Sequence, residues 1–248
     1  IMCVRELDDH DHNLIMATRN GIIKKTVLAA YKNVRVAGVK AINIDEDDSL
    51  IGVQLTNGDD EIILSMKNGK AIRFKETDAR PLGRVSRGVK GVRLTDNDEV
   101  VTIEIVDEES TMMAITENGY GKRTSFDEYR TQSRGGKGII SIQTTERNGK
   151  VVSAHAVTED HRLMLISEGG QMICIGASDL RVIGRNTQGV RLFNLKKGDK
   201  LVSAAVLEPE EDVPEATEVV EGETPAETVE GESPAVDSAA ETEESAEE

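Results

Sequence analysis

The chain has 248 residues, 38% hydrophobic and 2% aromatic, with no Trp. Of its formal charge of −16, nearly all lies at one end: residues 208–248 hold 17 Asp and Glu and no Lys or Arg, leaving 29 acidic against 30 basic residues in 1–207. An acidic average therefore does not exclude a nucleic-acid partner, whereas the absence of any apolar run near 18–20 residues excludes a membrane-spanning helix.

The chain opens Ile1-Met2-Cys3-Val4 and turns acidic by Glu6, with no signal-peptide pattern. An opening on Ile1 instead of Met reads as a fragment. Cys3 and Cys174 lie far apart without a CxxC partner, which suggests neither zinc nor a disulfide and reads as two reduced, buried thiols.

In chain order, the first unit spans about 1–49. It carries an acidic run, Asp8-Asp9-His10-Asp11-His12, then Leu14-Ile15-Met16, a turn at Asn20-Gly21 and basic residues Lys24 and Lys25. A loop with Arg35 and Lys40 follows, then Ala41-Ile42-Asn43-Ile44. The second unit, about 50–99, repeats this order: Leu50-Ile51-Gly52-Val53, Ile62-Ile63-Leu64, Asn68-Gly69, Arg73, a loop with Arg80, Arg84, Arg87 and Lys90, and Gly91-Val92-Arg93-Leu94. The third, about 100–150, has Val100-Val101-Thr102-Ile103, Met112-Met113-Ala114-Ile115, Asn118-Gly119, Lys122-Arg123, a loop with Arg130, Arg134 and Lys137, and Gly138-Ile139-Ile140-Ser141-Ile142 with one extra residue. The fourth, about 151–200, has Val151-Val152-Ser153-Ala154, Leu163-Met164-Leu165-Ile166, Gly169-Gly170, then Ile173 and Cys174 where the others are basic, a loop with Arg181 and Arg185, and Gly189-Val190-Arg191-Leu192. Residues 201–207 form a closing strand, and Ile1–Val4 fits the same slot one period earlier.

Asn-Gly between apolar runs is a strong hairpin signal and predicts type I′ turns. A period near 50 with about four short strands per unit predicts propeller-like blades, all-β and almost without helix. One blade cannot bury its apolar faces alone, so blades stack side by side. Loops that recur at one position emerge on one side or rim, which is where function is expected.

Those loops and hairpin exits collect Lys and Arg, usually beside Gly. Lys and Arg neutralise phosphates without reading base sequence, and Gly lets a backbone approach a phosphate closely. Aromatic residues are too few to stack single-stranded bases, so a duplex backbone is the expected target. A solvated polar rim is the plain alternative. A protein-binding propeller is the competing class; it would need apolar rim residues, of which the sequence offers few.

Several long motifs in register, Lys67-Asn68-Gly69-Lys70-Ala71-Ile72-Arg73-Phe74, Asn118-Gly119-Tyr120-Gly121-Lys122-Arg123-Thr124, Thr145-Glu146-Arg147-Asn148-Gly149 and Gly184-Arg185-Asn186-Thr187-Gln188-Gly189-Val190, closely resemble the C-terminal domain family of the bacterial DNA gyrase A subunit. The resemblance covers 1–207 and implies a β-pinwheel whose blades exchange strands, here about four of the usual six, with duplex DNA bent around the rim. The topoisomerase IV counterpart is similar and ranks second. On this reading the DNA-binding residues are Lys24, Lys25, Arg35, Lys40, Arg73, Arg84, Arg87, Lys90, Lys122, Arg123, Arg134, Gly135, Gly136, Lys137, Arg185 and Arg191. Gln132-Ser133-Arg134-Gly135-Gly136-Lys137-Gly138 resembles the family's seven-residue box, with Ser133 for a basic residue and in an internal unit, and so reads as a box-like phosphate-contacting loop.

Type II topoisomerases cut DNA with a Tyr nucleophile. Tyr31 and Tyr129 share one repeat position and read as packing residues, and Tyr120 lies within a hairpin. The resemblance puts the nucleophile in another domain, and ATP and Mg²⁺ with the holoenzyme. It makes the partners the gyrase B protein and the remainder of the gyrase A protein, in the bacterial cytoplasm on the nucleoid. No catalytic or metal-binding residue is expected in this chain; the acidic run at 8–12 reads as a solvated turn. Residues 208–248, with four of the five Pro and no aromatics, are expected to be disordered and to compete with phosphate for the rim cations.

Overall fold

Each apolar run that precedes a turn glycine becomes the first strand of a hairpin. The computed structural model describes residues 3–4 and 6–208. Its strands are β1 (Asn13–Thr18), β2 (Ile22–Val27), β3 (Leu50–Thr56), β4 (Glu61–Met66), β5 (Lys70–Lys75), β6 (Val89–Lys90), β7 (Val100–Ile105), β8 (Thr111–Thr116), β9 (Tyr120–Ser125), β10 (Ile139–Ile140), β11 (Val151–Val157), β12 (Arg162–Ser167), β13 (Met172–Gly176), β14 (Val190–Arg191) and β15 (Leu201–Leu207). The only helical elements among the described residues are three short 3-10 turns, at Leu28–Tyr31, Glu76–Asp78 and Phe126–Glu128.

These strands form four antiparallel sheets ordered β3-β1-β2-β6, β10-β5-β4-β7, β11-β8-β9-β14 and β13-β12-β15. Each of the first three takes its hairpin from one repeat and both flanking strands from the next. The strand that opens a sequence repeat therefore belongs to the preceding sheet, and the sheets run out of phase with the units at 1–49, 50–99, 100–150 and 151–200. The closing strand β15 stands beside β12, as β3 stands beside β1. The fourth sheet has no outer strand among the described residues, so β13 is an edge. Cys174 is consequently exposed, as is Cys3, against the expectation of two buried thiols.

The hairpins fall where the sequence places them, but the turn is of another type. Gly21 N donates to Thr18 O at 2.9 Å, and Gly69, Gly119 and Gly170 do the same in their hairpins. Only the glycines have positive φ, between 78° and 85°, and Asn20, Asn68 and Asn118 do not. This is a three-residue loop with its left-handed residue last, where a type I′ turn would need two. The glycine also meets the next repeat: a Cβ on Gly119 would stand 2.5 Å from Phe193 O, and one on Gly69 2.2 Å from Ile142 O. Gly119 O accepts from Leu192 N and Phe193 N, Gly69 O from Ser141 N and Ile142 N, and Gly21 O from Gly91 N and Val92 N.

The cores lie between consecutive sheets, because both faces of a blade are covered. On β4, Ile62 and Leu64 pack with Ile15, Ile23 and Val92, whereas Ile63 between them packs with Met112, Phe126 and Tyr129. This is why the strand reads as an unbroken apolar run instead of an alternation. Each such fully buried side chain contributes about 1.5–3 kcal/mol. A third core joins Met113 and Ile115 to Leu163, Leu165, Phe193 and Leu201. The inner strands β3, β7, β11 and β15 pack in succession. At one shared register position among them, Gln54 Nε2 donates to Glu104 Oε2 at 3.1 Å, and Glu104 Oε1 lies 3.0 Å from His155 Nδ1.

Of the sequence expectations, those for Ile1, Met2 and the tail from residue 209 onward lie outside the described residues.

Candidate nucleic-acid interface

The cations at the hairpin exits are interior. Lys24, Lys25, Lys122 and Arg123 are at most 6% exposed. Lys24 Nζ donates to Ala41 O and Arg84 O, and Lys122 Nζ to Gly184 O at 2.7 Å and Arg185 O. Lys25 pairs with the fully buried Glu76 at 3.0 Å. Arg123 donates to Ala177 O at 2.6 Å and Leu180 O at 3.3 Å, and its pairing holds the exposed Glu159 carboxyl below its usual range. Half-buried Arg73 repeats this on the preceding blade, donating to Phe126 O at 2.9 Å and Tyr129 O and pairing with Glu61. A buried charge persists only where its donors are matched, and here they are matched to carbonyls and carboxylates, mostly of the following repeat; Ala41 and Glu61 are partners from the cation's own repeat. Burial lowers both Lys24 and Lys122 to a pKa of about 8. Lys24, Lys25, Arg73, Lys122 and Arg123 are therefore inter-blade braces, which corrects their expected place in a DNA-binding set.

The loops hold the next tier. Arg84, Arg134 and Arg185 occupy one repeat position and are half-buried. Arg134 donates to Asp78 O at 2.9 Å and Lys90 O at 3.0 Å, and Arg185 to Ile140 O at 2.7 Å, each reaching the outer strand of the preceding sheet. In the box-like loop, Gly135 N donates to Gly91 O at 2.6 Å, and Gly136 O accepts from Arg93 N at 2.8 Å. A Cβ on Gly138 would stand 2.6 Å from Ala71 O. These glycines let the loop sit down on the second blade, and the N–H of Gly135 is not free for a phosphate.

What remains outward is a shorter set. Arg35, Lys40, Lys90, Lys137 and Arg191 are exposed, as are Arg80, Arg130 and Arg181 at one repeat position and Arg93. Arg87 is exposed but pairs with Asp45. Sequence reasoning missed Arg147, which stands over the Tyr120 ring at 5.0 Å. Its signal was present: the third unit has Glu146-Arg147-Asn148-Gly149 where the second has acidic Thr95-Asp96-Asn97-Asp98. Buried Asn148 anchors that loop by donating to Gln143 O and Gln188 O. The rim also exposes more apolar surface than expected, at Val36, Val85, Val182 and Val190.

Tyr31 and Tyr129 are both buried, the latter with its hydroxyl 2.8 Å from Ser141 Oγ, and burial pushes both hydroxyls up. At the acidic run, Asp9 Oδ1 accepts from Asp11 N and His12 N, which is turn chemistry. Among the described residues no cluster of three or more His, Cys, Asp or Glu could hold a metal. No described helix is long and apolar enough to cross a membrane.

A family model described as DNA gyrase C-terminal domain, beta-propeller, matches residues 12–57, 60–107, 111–158 and 161–208, which follow the four sheets. The chain belongs to this family. Its relatives include the DNA gyrase A protein of Halalkalibacterium halodurans, 54% identical over 86% of the chain and 26% of the relative. That of Buchnera aphidicola is 58% identical over 77% of the chain and 23% of the relative. The chain thus spans about a quarter of the length of these gyrase A proteins. Among solved structures, a DNA gyrase A C-terminal domain superposes with a TM-score of 0.73 at 28% identity, covering 82% of this chain and 68% of that one. A topoisomerase IV C-terminal domain superposes with a TM-score of 0.78 at 24% identity over 84% and 65%, a likeness of fold alone. The gyrase match is carried by sequence as well as by shape.

Proposed function

We propose that this chain is the DNA-bending part of a gyrase A protein. It grips the phosphates of duplex DNA along its rim, without sequence preference, so that the whole enzyme, with gyrase B, ATP and Mg²⁺, introduces negative supercoils in the bacterial cytoplasm. The observation that carries this reading is the recurrence of exposed Arg80, Arg130 and Arg181 on successive blades, with exposed Lys90, Lys137 and Arg191 further along the same loops or on the outer strands that follow. Cations that repeat from blade to blade follow the row of blades, so a duplex that touches several of them must curve. Bending 20–30 bp by 40–90° costs on the order of 1–6 kcal/mol, which several phosphate contacts offset.

The salt dependence of duplex binding tests the proposal. With about six to ten phosphates contacted, affinity should fall roughly 10³–10⁵-fold between 50 and 200 mM salt. A salt-independent affinity would instead favour a protein partner seated on Val36, Val85 and Val182.

A further inference from the structure

Tyr120 opens β9, and its register partner on β14 is Arg191. The equivalent pairs in the first and second sheets are Ile22 with Lys90 and Lys70 with Ile140, so an aromatic ring faces a guanidinium at this position in the third sheet alone. Arg191 Nη2 donates to Tyr120 Oη at 2.7 Å and its Nε at 3.3 Å. From the other strand connection, Arg147 Nε donates to the same oxygen at 3.4 Å. The two guanidinium carbons stand 5.3 and 5.0 Å from the ring centroid. The ring is 4% exposed, whereas both arginines are exposed.

Two features of this cluster are unbalanced. Neither arginine has a carboxylate within ion-pair distance among the described residues; Arg191 Nη1 meets only the neutral Asn194 Oδ1, at 3.3 Å. Two positive charges thus converge without a counter-charge. The phenol oxygen also has two lone pairs, and with guanidinium donors on them its own hydrogen must point elsewhere. Arg191 spends its Nε–Nη2 edge on the phenol, but Arg147 uses only Nε there, so its Nη1–Nη2 edge remains for bidentate contact with a phosphate, and the Tyr120 O–H and the remaining Nη hydrogens of Arg191 add donors beside it.

We propose that Tyr120, Arg147 and Arg191 form a phosphate site on the third blade whose ligand is a phosphodiester of duplex DNA. The inference rests on the DNA-binding reading above and adds to it one discrete grip, on the side of the hairpin turns. The arginines hold the phosphate, and the ring of Tyr120 fixes their planes.

The site carries its own reporter. The chain has no Trp and three Tyr. Burial pushes the Tyr31 and Tyr129 hydroxyls up, while Arg191 and Arg147 hold that of Tyr120 below its usual value. In a spectrophotometric pH titration of the 248-residue chain, the first phenolate phase should belong to Tyr120 and vanish in Tyr120→Phe. A short duplex should move that phase to higher pH, because a bound phosphate opposes a second negative charge beside it. Arg147→Gln should abolish the movement, weaken duplex binding about 3–10-fold, and lower the slope of log affinity against log salt by about one; Arg147→Lys should restore the slope.

Inorganic phosphate is the second arm. Movement with phosphate but not with the duplex would overturn the assignment to DNA. A duplex that binds with strong salt dependence, yet leaves both the Tyr120 phase and the Arg147→Gln affinity unchanged, would overturn the site while the DNA-binding reading stands. Absence of any duplex binding would overturn both.

Discussion

The third and fourth sheets are built on nearly the same hairpin, yet their exits have opposite chemistry. In the third, Gly119 O is taken by two N–H groups of the next repeat, and Lys122 and Arg123 end on that repeat's carbonyls. In the fourth, beyond its chain neighbours no atom of the described residues lies within 4 Å of where a Cβ on Gly170 would stand, and the two exit positions are Ile173 and Cys174. A cation at this position is present where a following loop must be held and missing where none is seated among the described residues. Repetition of a charge along a sequence therefore does not say whether it faces a ligand or a neighbouring blade.

The largest test of that contrast is a glycine pair. Gly119→Val should destabilise by about 3 kcal/mol or more, since positive φ and a collision with Phe193 O act together. Gly170→Val meets only the backbone strain, about 1–2 kcal/mol. Urea unfolding of the two variants with equal losses would break the comparison.

Next comes a pair of arginines. Arg123→Ala should cost about 2–3 kcal/mol by removing the charged donor from Ala177 O and Leu180 O, of which Ala177 O keeps only Leu180 N, whatever DNA is present. Arg181→Ala should change stability by less than about 0.5 kcal/mol and act on duplex affinity instead. Thermal melts and binding isotherms on both variants read the two effects separately.

A smaller effect is expected from pH. The pKa of Lys122 is about 8 in the fold against an ordinary 10.5, so the folded chain gives up this proton first. Its contribution to stability should rise as pH climbs from about 8 towards 10.5, while the cost of burying the charge is relieved. Lys122→Met should lose that rise, and the difference in melting temperature between the two proteins, followed across this range, measures it.

The smallest effect concerns the acidic residues beyond β15. Removing 208–248 should raise duplex affinity at about 50 mM salt and less at about 200 mM, where screening already weakens carboxylate contacts with the rim. Equal affinity with and without the segment at the lower salt would leave it a solubilising extension.

The repeat, the hairpins and the all-β class were legible because turn glycines and apolar runs recur at nearly constant spacing. The turn type was not, since Asn-Gly serves two turn geometries that differ in loop length and strand register; Gly170 takes the same turn with nothing seated on it among the described residues. The exchange of strands was beyond periodicity as well: a two-residue strand such as Val89–Lys90 has no pattern of its own, and only the family resemblance implied it. Of the candidate site, the loop arginines were legible as a group. The buried braces were not, because Lys24 and Arg123 look in sequence like Arg80 and Arg181, and burial comes from a loop some 50 residues later. Arg147 was passed over because the matching connections of the first two units, Asp45-Glu46-Asp47-Asp48 and Asp96-Asn97-Asp98, are acidic and read as turns.

The exchanged strands also order events during synthesis. Domains fold from the N-terminus as the chain emerges, but the hairpin of β1 and β2 gains its inner neighbour only when β3 has been made, and its outer one when β6 has followed. Each blade waits in half-finished form for the blade after it, with apolar faces such as that of Ile15 and Ile23 uncovered in the meantime. A ribosome pausing between residues 27 and 90 would thus display an open hairpin to chaperones, and the same pause after residue 90 would display a blade with all four of its strands.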